Sequence, residues 1–260
     1  MPLTYSRYLQ LDGLLSLQQP LSDDPEHDEM LFIITHQVYE LWFKQMIHEL
    51  EALQEAFEKN HLSDIFRCLK RVLSILKVLV AQMDILETMS PVSFNSFRAR
   101  LEAASGFQSA QFRVVEFLLG ARNPQVFAHY PDGLAERERL ETLLTQPSIW
   151  DSFLHFLQDN GYEIPKELQS RDLSQPVPSN DKVQQHLINI YRVNPLLSQI
   201  CELLIDFDEG LQEWRYRHIK MVERTIGTKQ GTGGSPGAEY LMSTMLKPLF
   251  PDLWAIRKEL

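Results

Sequence analysis

Residues 26–59 read EHDEMLFIITHQVYELWFKQMIHELEALQEAFEK. Within them Phe32, Tyr39, Phe43, Ile47 and Leu50 recur at steps of three, four and seven residues, which places them on one face of an α-helix. Asp23-Asp24-Pro25 just upstream supplies a start signal, with acids near the positive end of the helix dipole and proline in the first turn. The stretch therefore predicts one long helix, and the remainder of the chain repeats the pattern. A second long helix is expected over about 62–88. Ser90-Pro91 reads as N-cap and first residue of a short helix through Phe94, Arg98 and Leu101. Residues 107–119 form another, closed by Gly120.

Prolines 124, 131, 147 and 165 cut residues 124–168 into short helices, and 169–181 (QSRDLSQPVPSND) reads as an irregular loop. A long helix is expected from Asn194 or Pro195 to Ile226, and a last one after Pro236. No period-two run or strand-flanked Asn-Gly or Asp-Gly turn occurs, so the expected fold is all-α, a helical bundle in one domain. The first twenty residues lack a core pattern yet carry Tyr5, Tyr8, Leu9 and Leu11. Docking onto a partner and burial within the same subunit fit that terminus about equally.

At 260 residues, 44% hydrophobic and 23% charged, the composition is that of an ordinary globular protein. A formal charge of −10 argues against broad binding to nucleic acid or anionic membrane. The first twenty residues show no signal-peptide pattern, and the most apolar stretch, 72–86, is broken by Lys77 and Asp84. Cys68 and Cys201 both fall inside helical patterns, as buried reduced thiols of a cytoplasmic protein would.

Chemistry concentrates near the C-terminus. Residues 214–226 (WRYRHIKMVERTI) surround His218 with Arg215, Arg217, Lys220 and Arg224. Residues 227–237 (GTKQGTGGSPG) then hold five of the chain's 11 glycines. A histidine, local positive charge and a loop able to wrap a ligand with its own N–H groups point to an anionic cofactor or substrate. Leu211, Trp214, Met221 and Thr225 share the His218 face, so spacing alone fits a hydrogen-bonded core histidine. The flanking arginines, which can pair with haem propionates, and the glycine loop one helix end away shift the reading toward a haem-iron ligand.

His36, among Phe32, Tyr39, Glu40 and Phe43, is open to the same two readings: a core histidine, or an acceptor or base in an aromatic pocket. Arg98, four residues after Phe94, offers a planar fork for a carboxylate. The glycine loop matches neither a Walker nor a Rossmann pattern, and Thr232 and Ser235 suit it to a small polar ligand end. Glu58 and His61 alone have di-iron spacing, and no zinc pattern is present. His48, His129, His155 and His186 are expected at the surface.

Several long blocks in order, at 5–12 (YSRYLQLD), 27–44 (HDEMLFIITHQVYELWFK), 93–117 (SFNSFRARLEAASGFQSAQFRVVEF), 214–218 (WRYRH) and 231–235 (GTGGS), resemble the tryptophan 2,3-dioxygenase family of the compact bacterial type. The resemblance covers nearly the whole chain. It implies a haem b enzyme, active as Fe2+, that inserts both atoms of O2 across the indole C2–C3 bond of L-tryptophan to give N-formyl-L-kynurenine. By position it implies His218 as the axial iron ligand, with Trp214 and Ser105 near the cofactor. His36 then accepts the indole N–H, Phe32 and Phe94 line the indole pocket, and Arg98 and Thr232 hold the amino-acid end. It also implies a homotetramer, a dimer of dimers. There residues 1–20 dock on a neighbour and carry Tyr5, Tyr8 and Leu9 to that neighbour's site, while residues 21–260 form the catalytic domain. Residues 228–230 (TKQ) depart from the family, where a bulkier aromatic is expected first. Rival readings are a haem sensor or carrier, which needs no Arg98 or Thr232, an enzyme acting on another indole, and a plain helical scaffold.

Overall fold

In the computed structural model, residues 2–24, 26–227, 229, 242, 245 and 247–260 are described. Among them every regular element is helical and no strand occurs. Three long helices make the frame: α3 (His27–Glu58), α4 (Leu62–Leu86) and α11 (Pro195–Ile226). α4 packs against both of the others. Its buried stripe, Ile65, Cys68, Leu69, Val72, Ile75, Leu76, Leu79 and Met83, recurs at helical spacing and faces both neighbours. Gly210 lets α11 come close, since a Cβ there would lie 2.8 Å from the Leu76 Cδ2.

Smaller helices clothe this frame. α5 (Pro91–Phe97) lies against α3 and α11, and α6 (Ala110–Leu118) against α3. α7 (Ala135–Leu144) covers α6, α8 (Ile149–Asp159) packs on α3, the single turn α9 (Lys166–Gln169) follows, and α10 (Asp181–Val193) packs on α11. Away from the cavity the core is aromatic: Phe57, Trp150, Phe153, Phe156 and Phe250 pack together, each at most 1% exposed. Cys68 and Cys201 are free and fully buried. No described helix is long and apolar enough to cross a membrane.

Most expected boundaries hold, and the differences have local causes. α3 begins at His27 with Asp28 and Glu29 as the first-turn acids, not Asp23 and Asp24. The helix expected at 107–119 is split: a 3-10 turn, Gly106–Gln108, precedes α6, because the Ser109 hydroxyl accepts from Phe112 N and caps a new start. Gly120 follows with φ +85, the left-handed conformation glycine tolerates. Ser90 and Pro91 cap α5 as read, but the α-helix stops at Phe97 and continues as a 3-10 turn, Arg98–Leu101. α10 was not anticipated at all; Asn180 caps it through Lys182 N and Val183 N. The helix expected after Pro236 lies outside the described residues.

Two buried polar knots tie the periphery to the frame. Asp208, on α11 and 0% exposed, accepts from Leu249 N (2.8 Å), Phe250 N (3.1 Å), Trp254 Nε1 (2.9 Å) and Gln212 Nε2 (3.1 Å). It fastens the C-terminal segment, with its short helix α12 (Pro251–Ala255), to the long helix. Arg122, also buried, donates to the carbonyls of Phe117, Leu144, Gln146 and Leu173, gathering α6, the end of α7 with the turn after it, and the loop at Leu173 on one guanidinium.

The N-terminal helices α1 (Tyr5–Leu9) and α2 (Leu11–Leu14) bury no residue. Leu3, Tyr5, Tyr8 and Leu15 each expose 70% or more. The arm is tethered at its far end, where Gln37 bridges Gln18 and the Leu17 carbonyl.

Candidate active site

A cavity of about 560 Å³ opens between α3, α5, α6 and α11, with Met83 and Leu86 of α4 at its base. Its size is within the range of small-molecule and cofactor sites. Phe32, His36, Tyr39, Glu40 and Phe43 face it from α3, following the periodicity that predicts the helix. Trp214, Arg215, His218, Met221, Val222 and Thr225 face it from α11. Phe94, Arg98 and Ser105 complete one wall, and Phe107, Phe112, Arg113 and Glu116 another.

The cavity thus gathers seven expected site residues from five segments, Phe32, His36, Phe94, Arg98, Ser105, Trp214 and His218, and Thr225 from the His218 face lines it as well. Thr232 and the rest of the glycine loop at 230–237 lie outside the described residues. Tyr5, Tyr8 and Leu9 line no part of the cavity in their own chain.

His36 Nδ1 lies 2.7 Å from the Phe32 carbonyl oxygen. A carbonyl only accepts, so Nδ1 carries the proton and Nε2 is the bare acceptor. Much of the ring's surface faces the cavity space, yet protein packs densely around it. Desolvation lowers the His36 pKa, against weaker upward pulls from the Phe32 carbonyl and Glu40, so the ring is neutral near pH 7. Phe32 lies beside it at 4.1 Å, tilted by 38°, and meets Phe94 and Phe97 at 5.8 and 5.5 Å, forming an aromatic corner.

His218 is neutral for the same reason. Burial, with a smaller contribution from His36 where that ring is protonated, lowers its pKa to about 4. The ring makes no hydrogen bond to any described residue. A neutral imidazole on the wall of an aromatic-lined cavity is the donor that haem iron takes, so the residues present fit that group. Among the described residues no cluster of three or more metal-binding side chains competes with it.

The positive charge read around His218 is largely spent elsewhere. Arg217 pairs with Asp84 at 2.6 Å and Glu87 at 3.4 Å, Arg224 with Glu87 at 3.0 Å, and Lys220 with Glu223 at 2.7 Å. Asp84 and Glu87 crowd the C-terminal end of α4, where the helix dipole disfavours anions, and the α11 arginines compensate. Of the four cations, Arg215 alone lines the cavity.

Arg215 reaches Glu116, which also binds Arg113, itself set against Phe107 and Phe112. Sequence reasoning missed this charged wall. Its signal was Arg113 and Glu116 at i,i+3 spacing, the two charged residues of a short, mostly apolar helix. Ser105 lines the cavity while capping the Gly106–Gln108 turn, so its hydroxyl is partly occupied by Phe107 N at 3.3 Å. The surface histidines fall as expected: His48 and His129 are exposed, His155 pairs with Asp159, and His186 meets the Glu163 carbonyl.

Fold and cavity together define an all-α protein built around an aromatic-lined cavity, with an imidazole on each of two long helices and arginines on its wall. The chain belongs to the tryptophan 2,3-dioxygenase family, whose family model matches residues 1–160 and 179–260. It is 58% identical to the tryptophan 2,3-dioxygenase of Herpetosiphon aurantiacus, over 99% of this chain and 98% of that one. Identity to the tryptophan 2,3-dioxygenase of Anaeromyxobacter sp. strain K is 52%, over 98% and 95%. To that of Bacillus thuringiensis it is 42%, over 99% and 93%. The unmatched residues 161–178 include most of the irregular loop and none that lines the cavity.

Proposed function

We propose that this chain is a haem-dependent dioxygenase that converts L-tryptophan and O2 to N-formyl-L-kynurenine, the entry step of tryptophan breakdown through kynurenine. Family membership fixes the reaction class, and one observation carries the assignment of roles. Two neutral imidazoles, on α3 and α11, line a single aromatic cavity that also has an arginine on its wall.

His218 holds the iron of haem b, with Trp214 and Ser105 beside the cofactor. When bound, haem supplies the ferrous iron that takes up and activates dioxygen. The protein's own groups orient the substrate. Phe32 and Phe94 flank the indole, and the bare Nε2 of His36 accepts the indole N–H. Arg98 takes the carboxylate through its two-pronged edge, giving direction as well as energy. Thr232 is assigned to the amino-acid end beside Arg98, the role that membership of the family suggests. With the ring so fixed, both oxygen atoms enter across C2–C3, that bond breaks, and no other reductant is consumed. Because His36 only orients, no proton need leave through it.

The assembly is a homotetramer, a dimer of dimers, in the cytoplasm. Residues 1–20 dock on a neighbouring subunit and bring Tyr5, Tyr8 and Leu9 to its cavity, while residues 21–260 form the catalytic domain. The bare aromatic face of α1 supports this reading.

The test is an absorption spectrum of the haem-reconstituted, reduced protein, followed after adding L-tryptophan and air. A haem band with growth of N-formylkynurenine absorbance is expected. Haem without product would overturn the assigned reaction, and no haem uptake would overturn the role of His218.

A further inference from the structure

Histidines that bind metals almost always donate their second N–H to a carboxylate, a carbonyl or water, and that bond fixes the ring plane. His218 has no such bond to any described residue. What it has is Trp214, one helical turn earlier. The two rings are parallel to within 1°, with centroids 5.5 Å apart, an offset stack.

Trp214 is itself boxed in. Phe43 meets it edge-on at 6.4 Å and 85°, Phe112 lies against it at 5.0 Å, and Tyr39 stands at 6.4 Å and 66°. The Tyr39 hydroxyl is pinned by donating to the Leu79 carbonyl at 2.8 Å. The Trp214 N–H approaches the Tyr39 oxygen without closing a hydrogen bond of full geometry. Elements α3, α4 and α6 therefore hold the indole still, and only its stacked face is left for His218.

We infer that Trp214 is a positioning residue, setting the plane of the His218 ring by stacking where a hydrogen bond would ordinarily do so. The inference rests on His218 as the axial ligand. Its chemical consequence is an imidazole of fixed orientation but undiminished neutrality. A hydrogen-bonded partner would raise the basicity of the ligand; an aromatic face does not.

Resonance Raman spectra of the ferrous, haem-loaded protein test this, together with haem dissociation rates. Wild type should give a single iron–histidine stretching band at the frequency of a neutral imidazole. Trp214→Phe keeps a ring at the stack and should leave the band single and dissociation within about twofold. Trp214→Leu removes the ring; the band should broaden or split and dissociation rise by roughly two- to tenfold, the range for one aromatic pair. A wild-type band at the higher frequency of a hydrogen-bonded, imidazolate-like ligand would overturn the inference, and that measurement needs no variant to fold. An unchanged band and rate in Trp214→Leu would overturn it too. Wild type that takes up no haem would instead remove the axial-ligand reading on which it rests.

Discussion

Replacing Asp208 by alanine should unfasten the C-terminal segment at a cost that the structure sets. The carboxylate is 0% exposed and accepts four hydrogen bonds, three of them at Oδ2 from Leu249 N, Phe250 N and Trp254 Nε1. Gln212 can turn to water, and Trp254, 36% exposed, can partly rehydrate its N–H. The two backbone amides have less freedom. Each buried donor left unmatched costs about 1–3 kcal/mol, so the alanine variant should lose roughly 3–5 kcal/mol. Asparagine is the discriminating control. Its single oxygen can take the Oδ2 position and keep all three donors, while its amide faces Gln212, which can flip to accept. That variant should lose only about 1–2 kcal/mol, the difference between charged and neutral acceptors. At roughly 2–4 °C per kcal/mol, far-UV circular dichroism melts at one fixed protein concentration would separate the two variants clearly. Equal losses, or an alanine variant within about 1 kcal/mol of wild type, would refute the reasoning.

Arg98→Ala should weaken tryptophan binding by about 2–4 kcal/mol, raising KM roughly 30- to 900-fold, and Arg98→Lys should recover little because it lacks the fork; an unchanged KM would remove Arg98 from the carboxylate. Activity should have an acid limb governed by His36. Its neutral form is the acceptor and burial lowers its pKa, so the loss should set in only below the ordinary histidine range, about 6.5. His36→Asn, an acceptor that does not titrate, should flatten that limb; a limb with its midpoint above that range, or one untouched by the variant, would count against the role. Glu29 anchors the Leu21 and Ser22 amides and the Ser22 hydroxyl. Burial pushes its pKa up, but those hydrogen bonds and Arg100 together bring it below the ordinary value. Its stabilising effect is therefore present above the ordinary glutamate pKa and disappears as pH falls through the lower folded value. Stability curves of wild type and Glu29→Gln should accordingly converge at acid pH, and parallel curves would disprove the coupling.

The long helices were legible because a buried stripe repeats along each of them, and the same stripes announced much of the cavity. Phe32, His36, Tyr39 and Phe43 face the cavity because helical spacing admits no other arrangement. Arg98 stood out by its place one helical turn after Phe94, whereas Ser105 came from resemblance alone, since a single polar residue in a short turn carries no periodic signal. The fate of the α11 arginines was beyond the sequence. Arg217 and Arg224 find their partners, Asp84 and Glu87, more than 130 residues away, and nothing local distinguishes a paired cation from one awaiting a ligand. α10 went unread because Asn180, its cap, looked like one more polar residue of the preceding loop.

Arg122 has a consequence for how the molecule comes apart. One guanidinium closes carbonyls from α6, from both sides of the turn after α7, and from the loop at Leu173. α6 and α7 also pack on each other, but all these segments converge on one buried cation, so none can withdraw alone without stranding part of its hydrogen bonding. Opening should be concerted: native-state hydrogen exchange would find the outlying layer behaving as one cooperative unit, exchanging ahead of the three-helix frame and leaving the two histidine-bearing helices protected.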